Sequence, residues 1–441
     1  MEPRDQVTEP VALGLTLPEA RTLAPGSSLS EKLARGRIRG TIAILGPAFV
    51  ASVAYVDPGN FATNFAAGAR YGYQLVWVIV MANAMAILVQ YLTSKAGLCT
   101  GMSLPELCRR RYGRRTNGVL WVQAEVVAMA TDLAEFVGAA VGLHLLFGLD
   151  LLPAGIITAI VAFAILALEQ RGYRKFELAI VALLALIALG LLYALFAVGG
   201  QDYGALAGGM IPDLSGAGAP ALAVAIIGAT VMPHVVYLHS ALQQQRIRPQ
   251  NRHELRLLLR FNRLDCIVGL GTAGVINLAM LMIAAALFSV PGLPDVDDLI
   301  HIHGELARLA GGGAALAFAV ALMASGFSSA SVGTYAGQVV MSGFMGWRIP
   351  LIVRRGVTMA PALVVLALSI NPTDALVLSQ IVLSFGIPFA LVPLVMVTRD
   401  RFLMGDFVNG RVTTLALVVV TCVISALNLY VIYEALSGVF G

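Results

Sequence analysis

Two short sequences carry groups suited to holding a cation, Asp57-Pro58-Gly59-Asn60 and Met232-Pro233-His234. A proline has no N–H to donate, and its ring pushes away the carbonyl four residues earlier. Pro58 therefore frees the carbonyl of Ala54, and Pro233 frees that of Ala229. Each proline also biases its predecessor out of helical geometry. Asp57 and Met232 are then expected to project from unwound backbone. Free carbonyls at the end of a half-helix carry partial negative charge and favour a cation. Asp57 adds a carboxylate, Asn60 an amide oxygen and Met232 a thioether. Oxygen ligands alone suit Ca²⁺, Mg²⁺ or Na⁺. A sulfur ligand instead favours softer dications such as Mn²⁺, Fe²⁺, Co²⁺ and Cd²⁺. The alternative for Met232 is apolar packing.

A second set of residues suits proton chemistry. Metal and proton compete for one carboxylate, so Asp57 is a natural point of coupling. His234 lies two residues from Met232 and either carries a proton near neutral pH or packs as a hydrogen-bonded neutral ring. Glu125, Asp132 and Glu135 follow one another at spacings of 7 and 3, which places them on one helical face. Three acids cannot face lipid, so they face the protein interior, water or cationic partners. Arg354 and Arg355 are candidate partners.

The elements that must position these residues are membrane spans. Apolar side chains make up 58% of the 441 residues and charged ones only 12%, against roughly 45–50% and about 25% in soluble domains. Disorder, a collagen-like repeat and a disulfide scaffold are excluded by the apolar content, the absence of a strict Gly-X-Y period and only four cysteines. Cys99, Cys108, Cys266 and Cys422 have no paired spacing and are expected to be reduced. Eleven stretches reach the roughly 20 apolar residues that a spanning helix needs: 42–69, 73–94, 118–147, 151–168, 177–199, 220–244, 264–288, 312–340, 350–370, 375–397 and 413–438. Residues 1–38 are polar and read as a disordered cytoplasmic tail. With the N-terminus inside, every one of the 29 Lys and Arg except Arg70 and Arg308 falls on the cytoplasmic side. The positive-inside bias supports both the span count and an extracytoplasmic C-terminus. Ser103 and Glu106 suggest a capping box for a short interfacial helix between spans 2 and 3. Asp295, Asp297, Asp298, His301, His303 and Glu305 read as a solvated acidic loop rather than a metal site.

Asp57-Pro58 and Met232-Pro233 sit in spans 1 and 6. Their prolines are 175 residues, or five spans, apart. An odd number of spans between corresponding breaks indicates inverted repeats, here about 42–199 and 220–397, with a substrate at their interface. The core is then 39–405, and 406–441 adds an eleventh span. DPGN at 57–60 and MPH at 232–234 resemble the signatures of the Nramp family of divalent metal transporters. So do Thr131-Asp132-Leu133-Ala134-Glu135-Phe136 and the Ser379-Gln380 region. The resemblance covers essentially the whole chain beyond the tail. It implies an all-α LeuT-type fold with helices 1 and 6 broken, and import of Mn²⁺ or Fe²⁺, with Cd²⁺ and Co²⁺, coupled to protons by alternating access. It implies metal ligation by Asp57, Asn60, Met232 and the Ala54 and Ala229 carbonyls, with Gln380 joining in some conformations. It also implies a proton route through Asp132, Glu135, Arg354 and Arg355. The expected setting is a bacterial inner membrane, as a monomer with no resident cofactor.

Other signals are weaker. Gly269-Leu270-Gly271-Thr272-Ala273-Gly274 matches GxGxxG, but it lies within an apolar span and reads as a packing face. His253-Glu254 fails as a zinc-protease motif because residue 257 is leucine. No Walker A sequence is present, which argues against ATP as a partner, and the basic cluster at 246–263 follows the positive-inside bias rather than nucleic acid. Asn83, Gln90, Asn277 and Asn428 are expected to hydrogen-bond between helices. A Na⁺-coupled amino-acid symporter is a poor alternative, since Asp57 would repel a substrate carboxylate. A receptor or scaffold needs no ionisable residue at a break. No hydrolase constellation emerges.

Overall fold

The computed structural model describes residues 46–440 apart from 171–172, 245–248, 250, 289–297, 348 and 369. The tail at 1–38, Asp295 and Asp297 lie outside the described residues. The described chain is helical throughout. Its first elements are α1 (Pro47–Ala54), α2 (Pro58–Tyr71), α3 (Val76–Thr100), α4 (Leu104–Arg111) and α5 (Arg114–Phe147). Next come α6 (Leu151–Gln170), α7 (Tyr173–Val198), α8 (Tyr203–Gly208), α9 (Ala219–Thr230), α10 (Pro233–Leu242) and α11 (Arg252–Phe288). The last are α12 (Leu299–Leu309), α13 (Gly312–Met345), α14 (Leu351–Ala367), α15 (Pro372–Arg399), α16 (Arg401–Met404) and α17 (Arg411–Phe440).

Eight helical stretches among the described residues are long and apolar enough to cross a membrane, with α9 and α10 counted as one. The protein is therefore a polytopic helical membrane protein. The other three expected spans appear as the broken pair α1 and α2, as α6, and as α14, which is only 17 residues long.

Both breaks fall where the prolines place them. Asp57 has extended backbone (φ −82°, ψ 171°) and caps α2, with Pro58 in its first turn. Met232 is likewise extended (φ −71°, ψ 122°) before α10, with Pro233 in the first turn. Ser103 and Glu106 form the expected capping box of α4. The loop between spans 7 and 8 differs from expectation. Its residues from Leu299 onward form the helix α12, capped by Asp298 and carrying a Glu305–Arg308 pair at 2.6 Å. Leu299, Ile302 and Leu306 are buried on one face. That apolar spacing is what turns an acidic loop into an amphipathic helix.

The core forms where α5 and α13 pack together and where α11 crosses α2 and α3. Small residues set the closest approaches. A Cβ on Gly138 of α5 would lie 1.9 Å from Cβ of Pro58. Gly269 and Gly274, the residues of the GxGxxG match that meet neighbours, sit against the Ala48 backbone and the Asn83 side chain. The match is a packing face.

Gly138→Ala should lower the thermal midpoint measured in detergent, with overpacking costing about 1–3 kcal/mol. Gly271→Ala, which meets nothing within 4 Å, should leave the midpoint unchanged. Equal midpoints for the two variants would show that the α5–α2 contact is not tight.

Candidate metal centre

At the first break the chain leaves the α-helix through two tight turns. Tyr55 N donates to Ser52 O at 3.0 Å and Val56 N to Val53 O at 3.1 Å. These i→i−3 bonds occupy the carbonyls of Ser52 and Val53, and the next carbonyl is that of Ala54. Asn277 Nδ2 donates to Tyr55 O at 2.9 Å, and Ser325 Oγ donates to Val56 O at 2.6 Å. Asp57 Oδ1 accepts from Asn60 N at 2.7 Å and so caps α2.

The Asn60 side chain sits between the two breaks. With its amide nitrogen turned inward, it reaches Tyr55 O at 3.2 Å, Ala229 O at 3.2 Å and Asp57 Oδ1 at 2.7 Å. Three oxygens from both broken helices thus converge on one small volume. Ala229 and Met232 are fully buried, as are Asp57 and Asn60. On the first helix, the carbonyl against the Asn60 amide is that of Tyr55, one residue beyond Ala54.

Gln380 of α15 forms a third wall. A Cβ on Gly59 would meet Gln380 Nε2 at 2.0 Å, and a Cβ on Gly228 would meet Gln380 O at 2.0 Å. Gln380 is therefore wedged against α2 by its side chain and against α9 by its backbone. Gln380 Oε1 and Asp57 Oδ2 are buried acceptors without a hydrogen-bond partner. Leaving such groups unsatisfied is costly, and a cation is one way to satisfy both. Among the described residues no three His, Cys, Asp or Glu side chains gather around a common point. Of the side chains at the two breaks, Asp57 alone is a carboxylate.

Beside the centre, His234 Nδ1 lies 3.2 Å from Thr131 Oγ1 of α5, and its Nε2 has no partner. Thr131 starts the stretch that also holds Asp132 and Glu135, both buried. The charges of Asp132, Arg355 and Asp57 all act on Glu135. Arg355 donates to Ala330 O at 3.0 Å and lies over the Phe136 and Phe163 rings, 5.1 Å from each centroid. It interacts with Asp132 and Glu135 without closing to ion-pair distance. Arg354 instead pairs with Glu125 at 3.1 Å, and Trp121 Nε1 donates to the other oxygen of Glu125 at 3.2 Å. Arg354, Glu106, Tyr335 and Gln338 line a cavity of about 620 Å³. The sequence-predicted groups thus form two clusters. One is Asp57, Asn60, Ala229 and Gln380, with Met232 buried at the second break and His234 two residues on. The other runs from Glu135, Asp132 and Arg355 to Arg354 and Glu125 at the cavity.

The Nramp (natural resistance-associated macrophage protein-like) family model matches residues 48–434. The chain belongs to the Nramp family. It is 47% identical over 433 residues to a Deinococcus radiodurans protein named divalent metal cation transporter MntH, covering 96% of this chain and 99% of that one. A Bacillus subtilis protein of the same name is 44% identical over 420 residues, covering 95% and 98%. The manganese transporter of Eremococcus coleocola, solved with an aromatic bis-isothiourea compound, superposes with a TM-score of 0.82 at 31% identity, covering 92% of this chain and 90% of that one. Mhp1, a nucleobase-cation-symport-1 family transporter, superposes at 0.60 with 14% identity over 87% and 89% of the two chains. That likeness is one of fold.

Several contributors in this Nramp chain had no signal of their own in the sequence. The Tyr55 carbonyl, which faces the Asn60 amide, lies outside the reach of the proline rule, which counts back four residues to Ala54. Gly333 and Gly337 of α13 were missed because glycine is common in membrane helices. A Cβ at Gly333 would meet Glu135 Oε1 at 2.6 Å, and one at Gly337 would meet Arg354 Nη1 at 1.7 Å. The two glycines make room for the charged chains opposite.

Removing one member of a buried charge cluster leaves an uncompensated charge, which costs about 3–5 kcal/mol. Arg355→Gln should therefore lower the thermal midpoint more than Glu125→Gln, whose carboxylate is 17% exposed and whose partner Arg354 borders a cavity. Equal losses would mean that Arg355 does not compensate Asp132 and Glu135.

Proposed function

We propose that this chain imports divalent transition-metal ions, Mn²⁺ and Fe²⁺ together with Cd²⁺ and Co²⁺, coupled to protons by alternating access. It is a transporter rather than an enzyme, and its substrates are divalent metal cations, as its family and the names of its relatives indicate. In this reading the chain has eleven spans, of which 1–5 and 6–10 form inverted repeats, and works as a monomer in a bacterial inner membrane. The N-terminus is cytoplasmic and the C-terminus extracytoplasmic.

The observation that carries the reading is the meeting of the two breaks. Asp57 Oδ1, Tyr55 O and Ala229 O surround the Asn60 amide at 2.7–3.2 Å, with Met232 buried at the second break. An amide N–H is a weak positive group, and a dication is a far stronger one for the same oxygens. Rotation of the Asn60 amide presents Oδ1 in place of the N–H groups and turns a competitor into a ligand. Asp57, Asn60, Met232, Ala229 and either Ala54 or Tyr55 then bind the ion, with Gln380 Oε1 as a further oxygen. The Met232 thioether supplies selectivity, because it attracts soft ions and does little for Ca²⁺ or Mg²⁺.

Proton coupling follows from charge. A dication beside one carboxylate leaves an excess positive charge, so metal arrival favours loss of any proton on Asp57. Glu135 lies within electrostatic reach of Asp57, and His234 stands between the centre and Thr131 of α5. From Glu135 the acidic groups lead past Asp132 and Arg355 to the Arg354–Glu125 pair at the 620 Å³ cavity. That cavity also holds Glu106 of the loop between spans 2 and 3, on the cytoplasmic side in this orientation.

In proteoliposomes, Asp57→Ala should abolish Mn²⁺ and Cd²⁺ uptake; undiminished uptake would remove Asp57 from the site. Met232→Ala should admit Ca²⁺ or Mg²⁺ while weakening Cd²⁺ transport, and an unchanged ion ranking would deny the thioether a selective role. Mn²⁺ entry followed with an internal pH indicator should be accompanied by internal acidification. Uptake at full rate with no acidification would refute coupling to protons.

A further inference from the structure

The loop between α15 and α17 carries charge that neither cluster uses. Asn409 N donates to Thr398 O at 3.0 Å, which folds the chain back and brings Arg411 beside Arg399 and Arg401. The three arginines line one hollow of about 540 Å³, together with Thr414, Leu415 and Val418. A second hollow of about 430 Å³ adjoins it and shares Arg401. Both acids of the loop are already engaged. Asp400 pairs with Arg111 of α4 at 2.7 Å, and Asp406 with Arg252 of α11 at 2.5 Å. The bond from Arg111 holds the Asp400 carboxyl below the usual carboxylate range. Among the described residues, Arg399, Arg401 and Arg411 have no acidic partner.

Positive-inside bias accounts for basic residues in this loop, but not for three unneutralised ones converging on a hollow. Nor does it account for the apolar surface beside them. Phe402, Val412 and Leu415 are 68%, 82% and 64% exposed. Arg411 also opens α17, whose first-turn N–H groups add partial positive charge at the same place. A free anion has no use for the apolar wall, whereas a phospholipid matches both halves of the surface.

We propose that this hollow binds the headgroup of an anionic phospholipid, with the three arginines on the phosphate oxygens and the acyl chains along Val412 and Leu415. Basic pockets between helices at the cytoplasmic face are suited to such headgroups. The assignment needs the membrane setting but not the metal centre.

The test uses the full-length chain in neutral detergent, titrated with phosphatidylglycerol and followed by native mass spectrometry. The triple variant Arg399→Gln, Arg401→Gln, Arg411→Gln should bind phosphatidylglycerol about a hundredfold more weakly, since each basic side chain near an anionic lipid contributes about a fivefold factor. If the triple variant does not fold, each single Arg→Gln variant should show about a fivefold loss. A control, Arg256→Gln with Arg260→Gln on exposed positions of α11, removes charge on the same side and should change nothing. Phosphatidylcholine should bind equally to all forms, and inorganic phosphate should not displace phosphatidylglycerol. Unchanged affinity in the arginine variants, or an equal loss in the control, would overturn the proposal. Displacement by inorganic phosphate would also overturn it, by showing an anion site that does not recognise lipid.

Discussion

Inside a bilayer no water is available to hydrogen-bond a free backbone group, so every interruption of a helix must be satisfied by the protein itself. This chain interrupts two helices at similar depth and answers the requirement with side chains from other elements. Asn277 of α11 and Ser325 of α13 donate to the carbonyls of Tyr55 and Val56. The Asn60 amide spans the gap to Ala229 O. Beside them Asp57 Oδ2 and Gln380 Oε1 remain buried without a hydrogen-bond partner. The core around these groups, in which α11 packs on α2 and α3 and α13 on α5, holds those donors in place.

The same economy governs the charges. At an effective dielectric constant of about 20, two unit charges 4 Å apart interact by about 4 kcal/mol. A second carboxylate at the centre would strongly repel Asp57 whenever the site was empty. The additional acids are instead held on α5, where Arg354 and Arg355 stand opposite them. Gly333 and Gly337 provide the room, since any side chain there would overlap Glu135 or Arg354. On the proposed reading, the arrangement separates the residue that meets the ion from those that pass a proton onward.

The breaks were legible because proline acts on its own backbone by rules that need no tertiary context. Asp57-Pro58 and Met232-Pro233 lie where those rules put them, and the capping box at Ser103 and Glu106 is equally local. Contacts between helices were less legible. The Tyr55 carbonyl meets Asn277 of α11 and the Asn60 amide, partners that no residue type at 55 announces. Gln380 entered only through family resemblance, because its place between Gly59 and Gly228 is a property of three helices at once. Arg354 and Arg355 were grouped by adjacency, but neighbours on a helix point about 100° apart. One accordingly pairs with Glu125 while the other lies among Phe136, Phe163 and Ala330. The acidic stretch after span 7 was read from its charges, while its helix follows from Leu299, Ile302 and Leu306.

The four half-helices are held by different partners. α2 and α9 meet at Gln380, which packs on Gly59 of one and Gly228 of the other. α1 and α10 are tied elsewhere. Asp265 of α11 accepts from Gly46 N and Ala48 N at the start of α1, at 3.0 and 2.9 Å. Thr93 of α3 donates to Val236 O of α10 at 2.8 Å, and Ser240 of α10 accepts from Leu104 N at 2.8 Å. Gly97 lets α3 approach the Ser240 carbonyl where a Cβ would stand 2.2 Å away. Gln380 of α15 thus joins one half of each broken helix, while α2 also packs on α11 and Tyr237 of α10 donates to Phe389 O of α15. A continuous helix would transmit movement at one end to the other. Here the unwound residues 55–57 and 231–232 interrupt that rod in both helices. On the proposed reading, the same discontinuity that brings the oxygens together lets the two sides of the centre open separately, as alternating access requires.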